Sequence, residues 1–80
     1  IIDNNLKVEL SGHTDNVYKE EYNLELSEER AEAVKDYLVR LGCSDNKIIT
    51  IGYGESMPLN DNNNAQERRI NRRVEFKFID

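Results

Sequence analysis

Leu6-Lys7-Val8-Glu9-Leu10-Ser11-Gly12-His13-Thr14-Asp15 is the stretch that decides how the rest of the chain is read. Its first half alternates apolar and charged residues with a period of two. Leu6, Val8 and Leu10 therefore share one side of a strand, and Lys7 and Glu9 the other. Ser11-Gly12 ends that strand by this reading. The polar group Gly12-His13-Thr14-Asp15-Asn16 follows at once, at the carboxyl end of the strand.

Working outward, the next signal has helical spacing. Leu26, Ala33, Val34, Tyr37, Leu38 and Leu41 form one stripe, which predicts a helix over Tyr22 to Leu41. Glu20, Glu21, Glu25, Glu28 and Glu29 crowd its start, where the helix dipole favours negative charge. Asn23 or Ser27 can cap it, and spacing does not choose between them. Arg40 sits at the end and Gly42 supplies a left-handed stop. Lys47 to Tyr53 reads as a second strand, broken by Gly54 to Pro58. Leu59 to Gln66 has four Asn in eight residues and reads as a loop without core. Arg72 to Ile79 alternates again, with Val74, Phe76 and Phe78 expected inward and Arg73, Glu75 and Lys77 outward.

The order is strand, helix, strand, long loop, strand. A helical crossover allows the first two strands to run parallel. The fold class is α+β: a small mixed sheet with a helix on one face, in one domain over residues 1–80. With 80 residues the chain has room for one core. The net charge is −5, which argues against nucleic acid as a partner, because phosphate binding needs a surplus of Lys and Arg. The charge is unevenly spread. Glu20 to Asp36 holds seven acids and two bases, whereas Arg68 to Lys77 holds five bases and one acid. The basic cluster Arg68-Arg69-Ile70-Asn71-Arg72-Arg73 has two readings: contact with phosphates, or arginines tying the Asn-rich loop to helix carboxylates. The acidity of the whole chain favours the second. Cys43, the single cysteine, is expected to pack under the turn at Gly42.

For chemistry, the decisive pair is Asp15 and Arg30, fifteen residues apart. Sheets of this type place ligands beyond the carboxyl ends of strands, near helix starts. A carboxylate there takes an ammonium group. A guanidinium takes a carboxylate through two parallel hydrogen bonds, so the pair suits a zwitterion. The alternative is an internal Asp15–Arg30 salt bridge that only ties loop to helix. His13, the sole histidine, lacks the further His or Cys that a metal site needs, and no serine sits in a Gly-x-Ser-x-Gly elbow. No catalytic group, metal or cofactor is expected.

Four ordered motifs then give a resemblance. They are Gly12-His13-Thr14-Asp15, Tyr22-Asn23-x-x-Leu26-Ser27-x-x-Arg30-Ala31-x-x-Val34, Ile51-Gly52-Tyr53-Gly54-Glu55-x-x-Pro58, and Asn71-Arg72-Arg73-Val74-Glu75-Phe76. Together they resemble the OmpA-like domains of outer membrane protein A, peptidoglycan-associated lipoprotein and flagellar stator proteins. The resemblance implies non-catalytic binding of the peptidoglycan peptide stem through its diaminopimelate. It implies a periplasmic location, within a protein of the Gram-negative outer membrane or cell envelope. It also implies site residues: Asp15 takes the diaminopimelate ammonium and Arg30 its carboxylate, with Asn23 and Thr14 at the same pocket. His13, Leu26, Arg72 and Arg73 are expected to support it, with a mainly structural role for the two arginines.

The chain departs from the family pattern at three places. Tyr18 and Glu67 stand where the family usually has glycine, which puts loop shape at issue. The strand and helix that usually precede Leu6 are lacking, so the domain is expected to be N-terminally truncated. The last strand is then expected as an open edge that recruits a second copy. The alternative function is a structural or protein-interaction domain that keeps the fold without the ligand.

Overall fold

The computed structural model describes residues 7–79. The element order is β1 (Lys7–His13), α1 (Glu20–Arg40), a short 3-10 turn (Asp45–Lys47), β2 (Ile48–Gly54), α2 (Ala65–Asn71) and β3 (Arg73–Ile79). The sheet is mixed, in the order β2-β1-β3. β1 pairs parallel with β2, from Val8 opposite Ile48 to Gly12 opposite Gly52. It pairs antiparallel with β3, from Lys7 opposite Ile79 to His13 opposite Arg73. The α+β class and the mixed sheet are as expected. Leu6, assigned to the first strand by its alternation, lies outside the described residues.

α1 rests on β1 and β2. Val8, Leu10, Ala31 and Ile48 form the buried apolar core, with Val34, Leu38, Cys43 and Val74 packed against it. The helix comes very close to the sheet. A Cβ on Gly12 would meet the backbone carbonyl of Ser27, and one on Gly52 would meet the Glu28 backbone and side chain. Strand and helix approach only because neither position carries a side chain. The end of α1 is a Schellman motif. Gly42 has φ +106°, its N–H donates to the Val39 carbonyl at 3.0 Å, and Cys43 N–H donates to Leu38 at 3.0 Å. Gly42 is thus the expected stop, and Cys43 the expected small residue beneath it.

Five expectations need correction. First, β1 does not end at Ser11-Gly12. It runs to His13, because both neighbouring strands continue their ladders past the glycine. Second, α1 starts at Glu20, so neither Asn23 nor Ser27 is a cap; both are buried inside the helix. Third, the buried stripe is Asn23, Ser27 and Ala31, continued by Val34 and Leu38, while Ala33, Tyr37 and Leu41 lie exposed. The helix is turned to bring its polar residues onto the strand ends.

Fourth, the Asn-rich segment does not remain a loop to Gln66. Asn64 caps α2, its side chain accepting from Glu67 N–H at 2.9 Å, and Glu67 Oε1 accepts from Asn63 N–H at 2.9 Å. Such reciprocal bonds start a helix. Fifth, Phe76 and Phe78 point to the α1 side, opposite Leu10 and Val8, yet stay 54 % and 59 % exposed. α1 covers β1 and β2 and leaves the flank over β3 bare.

Candidate functional site

The site is built where β1 and β2 end and α1 begins. β1 delivers His13, Thr14 and Asp15 in succession, all buried. Thr14 N–H donates to the Gly54 carbonyl at 2.9 Å, which fixes the exit of β1 to the end of β2. From α1, Ser27 Oγ accepts from Gly54 N–H at 2.9 Å and donates to Leu24 O at 2.7 Å. The helix is thereby bolted to β2 by a hydroxyl, one turn above the apolar core.

Asn23 holds the loop. Its amide nitrogen lies within hydrogen-bond distance of Asp15 O (3.2 Å), Tyr18 O (3.0 Å) and Glu55 Oε1 (3.1 Å). Its Oδ1 is buried and has no partner among the described residues. Asp15 in turn accepts from Val17 N–H at 3.1 Å through Oδ1 and from Arg72 Nη1 at 2.7 Å through Oδ2. Burial alone would push the Asp15 carboxyl up. The Arg72 hydrogen bond, the Val17 N–H and the charges of Arg72 and Arg68 outweigh it and hold Asp15 below its ordinary value. Asp15 is thus an ionised, fixed anion at neutral pH.

These residues enclose a pocket of about 290 Å³, lined by Thr14, Asp15, Val17, Tyr18, Asn23, Leu26, Arg30 and Arg72. Asp15, Arg30, Asn23, Thr14, Leu26 and Arg72 therefore share one cavity, as the sequence reading grouped them. The internal Asp15–Arg30 bridge does not form. Asp15 pairs with Arg72, and among the described residues Arg30 has no carboxylate partner. The pocket consequently carries one fixed carboxylate and a guanidinium free to meet an incoming anion. Arg30 also borders a shallower, apolar groove of about 490 Å³ with Ala33, Val34, Arg72, Arg73 and Val74.

Two supporting residues fall elsewhere. His13 is buried on the sheet face away from α1, stacked on Tyr53 with ring centroids 5.4 Å apart. Burial, then the Arg73 charge, lowers its pKa, and Glu75 opposes them. Neither ring nitrogen has a partner among the described residues. Arg73 bonds Glu75, Asn71 O and Met57 O, outside the pocket. Both arginines make bonds within the fold: Arg73 outside the pocket, and Arg72 to Asp15, where it also lines the cavity. The basic cluster does tie down the Asn-rich loop, but through carbonyls rather than helix carboxylates. Arg68 reaches Asn62 O at 3.4 Å and Arg73 reaches Met57 O at 3.1 Å. Buried Asn71 completes the clasp, accepting from Leu59 N–H and donating to Asn60 and Asn62.

Val17 and Tyr18 line the pocket without having been singled out for it. Tyr18 was legible only as a departure from glycine. It does not adopt positive φ, which among the described non-glycine residues belongs to Asn62 alone. Glu67, the other departure, serves the start of α2.

Comparison with known proteins agrees with this architecture. Residues 1–72 match the model of the OmpA family. Outer membrane porin F of Pseudomonas aeruginosa is 51% identical over 67 residues, covering 82% of this chain and 19% of the porin. The peptidoglycan-binding protein ArfA of Mycobacterium tuberculosis is 42% identical over 70 residues, covering 88% of this chain and 22% of ArfA. The crystal structure of the peptidoglycan-associated lipoprotein from Burkholderia pseudomallei superposes with a TM-score of 0.90 at 30% identity, covering 92% of this chain and 63% of that one. The chain spans only about a fifth of those two curated relatives. The family model matches 72 of the 80 residues, and on that ground the chain belongs to the OmpA family.

Proposed function

We propose that this domain binds peptidoglycan without catalysis, through the diaminopimelate of the peptide stem. In this reading it anchors an outer-membrane or other cell-envelope protein to the wall from the periplasm. The observation that carries the reading is the pairing of a fixed carboxylate with an unpaired guanidinium in one cavity. Asp15 is buried, ionised and oriented, and Arg30 lines the same wall with no carboxylate partner among the described residues. A zwitterionic amino-acid end fits such a pair: its ammonium goes to Asp15 and its carboxylate to Arg30. Thr14, Asn23, Leu26 and Arg72 shape the cavity. Two relatives carry peptidoglycan in their names, which agrees with this ligand class.

The test is titration of the chain with diaminopimelate, followed by amide shifts. Asp15→Asn and Arg30→Ala should each weaken binding by ~1.5–3 kcal/mol, the strength of a hydrogen bond to a charged group. Arg30→Ala is the cleaner variant, because it removes no ion pair found among the described residues. Binding of both variants at parental strength would refute the site.

A second reading concerns association, and a specific observation favours it. The outer edge of β3 has no partner strand among the described residues, and Phe76 and Phe78 beside it are exposed. Antiparallel pairing of two β3 strands about Phe76 would set Glu75 across from Lys77 twice, and Val74 across from Phe78 twice. Charges and apolar groups match on their respective faces. We therefore propose that the isolated chain forms a homodimer through β3. Sedimentation should show a dimer that Lys77→Glu weakens; a monomer at high concentration would rule it out. In this second reading the exposed edge would serve a protein partner with or without the wall ligand.

A further inference from the structure

The cavity is small for the polymer it would hold. At about 290 Å³ it has room for an amino-acid end, near the lower limit of ligand pockets, so the rest of a wall fragment must leave through its mouth. The mouth is aromatic. Tyr18, which lines the cavity, is 61 % exposed, and Tyr22, in the first turn of α1, is 52 % exposed. Their rings meet edge to face with centroids 5.1 Å apart. Among the described residues this is the one exposed aromatic pair; the other, His13 with Tyr53, is buried at His13.

The backbone that carries Tyr18 is held in place by the pocket itself. Tyr18 O takes a hydrogen bond from Asn23, and the N–H of neighbouring Val17 is fixed on Asp15 Oδ1. The residues that build the cavity therefore also set the loop that carries Tyr18, and Tyr22 sits beside Asn23 on the helix. A rigid aromatic surface costs little ordering when a ligand lands on it. We propose that Tyr18 and Tyr22 form a second subsite, a stacking platform for an uncharged, N-acetylated pyranose ring of the wall glycan whose stem occupies the pocket.

The chemistry favours a sugar over other flat partners. A tyrosine offers an apolar ring face for the C–H face of a pyranose and a hydroxyl at its rim for the sugar's own hydroxyls. Glu21 and Glu25 lie next to Tyr22 and one turn beyond it on α1. Their charge works against a nucleobase carrying phosphate and leaves a neutral sugar unaffected. A tyrosine at position 18, where the resembling family usually has glycine, doubles the aromatic area at this mouth.

This platform rests on the pocket reading above, and the two are separable by experiment. The chain, Tyr22→Ser and Tyr22→Phe are each titrated calorimetrically with three probes: diaminopimelate, the free stem peptide, and the same peptide carrying its disaccharide. Tyr22 is half-exposed and outside the cavity lining, so its replacement should leave the fold and the two sugar-free titrations unchanged. The parent should bind the disaccharide-peptide about 3- to 10-fold more tightly than the peptide, the worth of one aromatic contact. Tyr22→Ser should abolish that gain and Tyr22→Phe should keep most of it. An equal affinity for peptide and disaccharide-peptide in the parent would overturn the platform while leaving the pocket standing. An equal loss for the free peptide and the disaccharide-peptide in Tyr22→Ser, with diaminopimelate unaffected, would show that the rings read peptide, and would overturn the sugar assignment. Silence of all three probes in the folded parent would bring down the pocket reading and the platform with it.

Discussion

The two ends of the α1–sheet layer are filled by different chemistry. Toward the amino ends of β1 and β2 the interior is apolar: Val8, Leu10, Ala31 and Ile48. Toward their carboxyl ends it is polar and also buried: Thr14, Asp15, Asn23 and Ser27. The apolar end needs only shape and area. The polar end depends on named partners, since a buried polar atom without one is costly, and Asn23 Oδ1 is left without one among the described residues. The contrast separates two tasks within one layer. One end holds the domain together, and the other holds a cavity open with its charge and donors fixed in direction.

Substitutions sharpen that contrast. The largest effect belongs to the apolar end. Leu10→Ala should lower stability by about 2–5 kcal/mol in denaturant melts, because Leu10 is fully buried at the centre of the sheet. Its effect on ligand affinity, measured where the variant is still folded, should be small. Asn23→Ala should cost less stability, about 1–3 kcal/mol, by leaving Asp15 O, Tyr18 O and Glu55 without their shared donor. It should also weaken diaminopimelate binding, since the loop carrying Asp15 loses its tether. If Leu10→Ala damaged binding as much as Asn23→Ala, the division of labour between the two ends would be wrong.

The same contrast explains what could be read from the chain. The apolar end is local and periodic. Val8 and Leu10 announce β1 by alternation, and Gly42 announces the stop of α1 by its backbone requirement. Even there the helix was read one face off. Ala33, Tyr37 and Leu41 are apolar but exposed, whereas Asn23 and Ser27 are polar but buried. A stripe drawn on hydrophobicity cannot find a helix face whose first two turns bury an amide and a hydroxyl. The polar end is non-local. Asp15 meets Arg72 across 57 positions and Asn23 meets Glu55 across 32, and no spacing rule connects them. The grouping of Asp15, Asn23 and Arg30 came from motif resemblance, with spacing alone leaving a plain salt bridge open. α2 was a different kind of miss. Asn64-x-x-Glu67 is a legible helix start, but four Asn in eight residues read as loop. Position within the run mattered more than composition.

The smallest expected effect tests the opposite face of the sheet, at the polar end, through protons. His13 is buried between Tyr53 and the Arg73 position of β3, with neither nitrogen partnered among the described residues, and burial holds its pKa below the ordinary 6.5. The folded chain therefore favours neutral His13. The stability tied to this preference is complete above pH 6.5 and falls as the pH drops from there toward the lowered folded value, because the unfolded chain then binds the proton more readily. Asp15 and Glu75 are lowered as well, but from ordinary carboxyl values. Their contributions are complete above about pH 4–4.5 and are lost only below it. The window between about pH 4.5 and 6.5 thus isolates the histidine. Melts across it should show stability declining with acid in the parent. His13→Phe keeps a ring against Tyr53 and carries no titrating nitrogen. Its stability should stay level across the same window, and at pH 7 it should equal or exceed that of the parent, since two unpaired buried nitrogens have been removed. A parental slope that survives in His13→Phe would place the titrating group elsewhere, and would mean that the ring beside Tyr53 is reached by water.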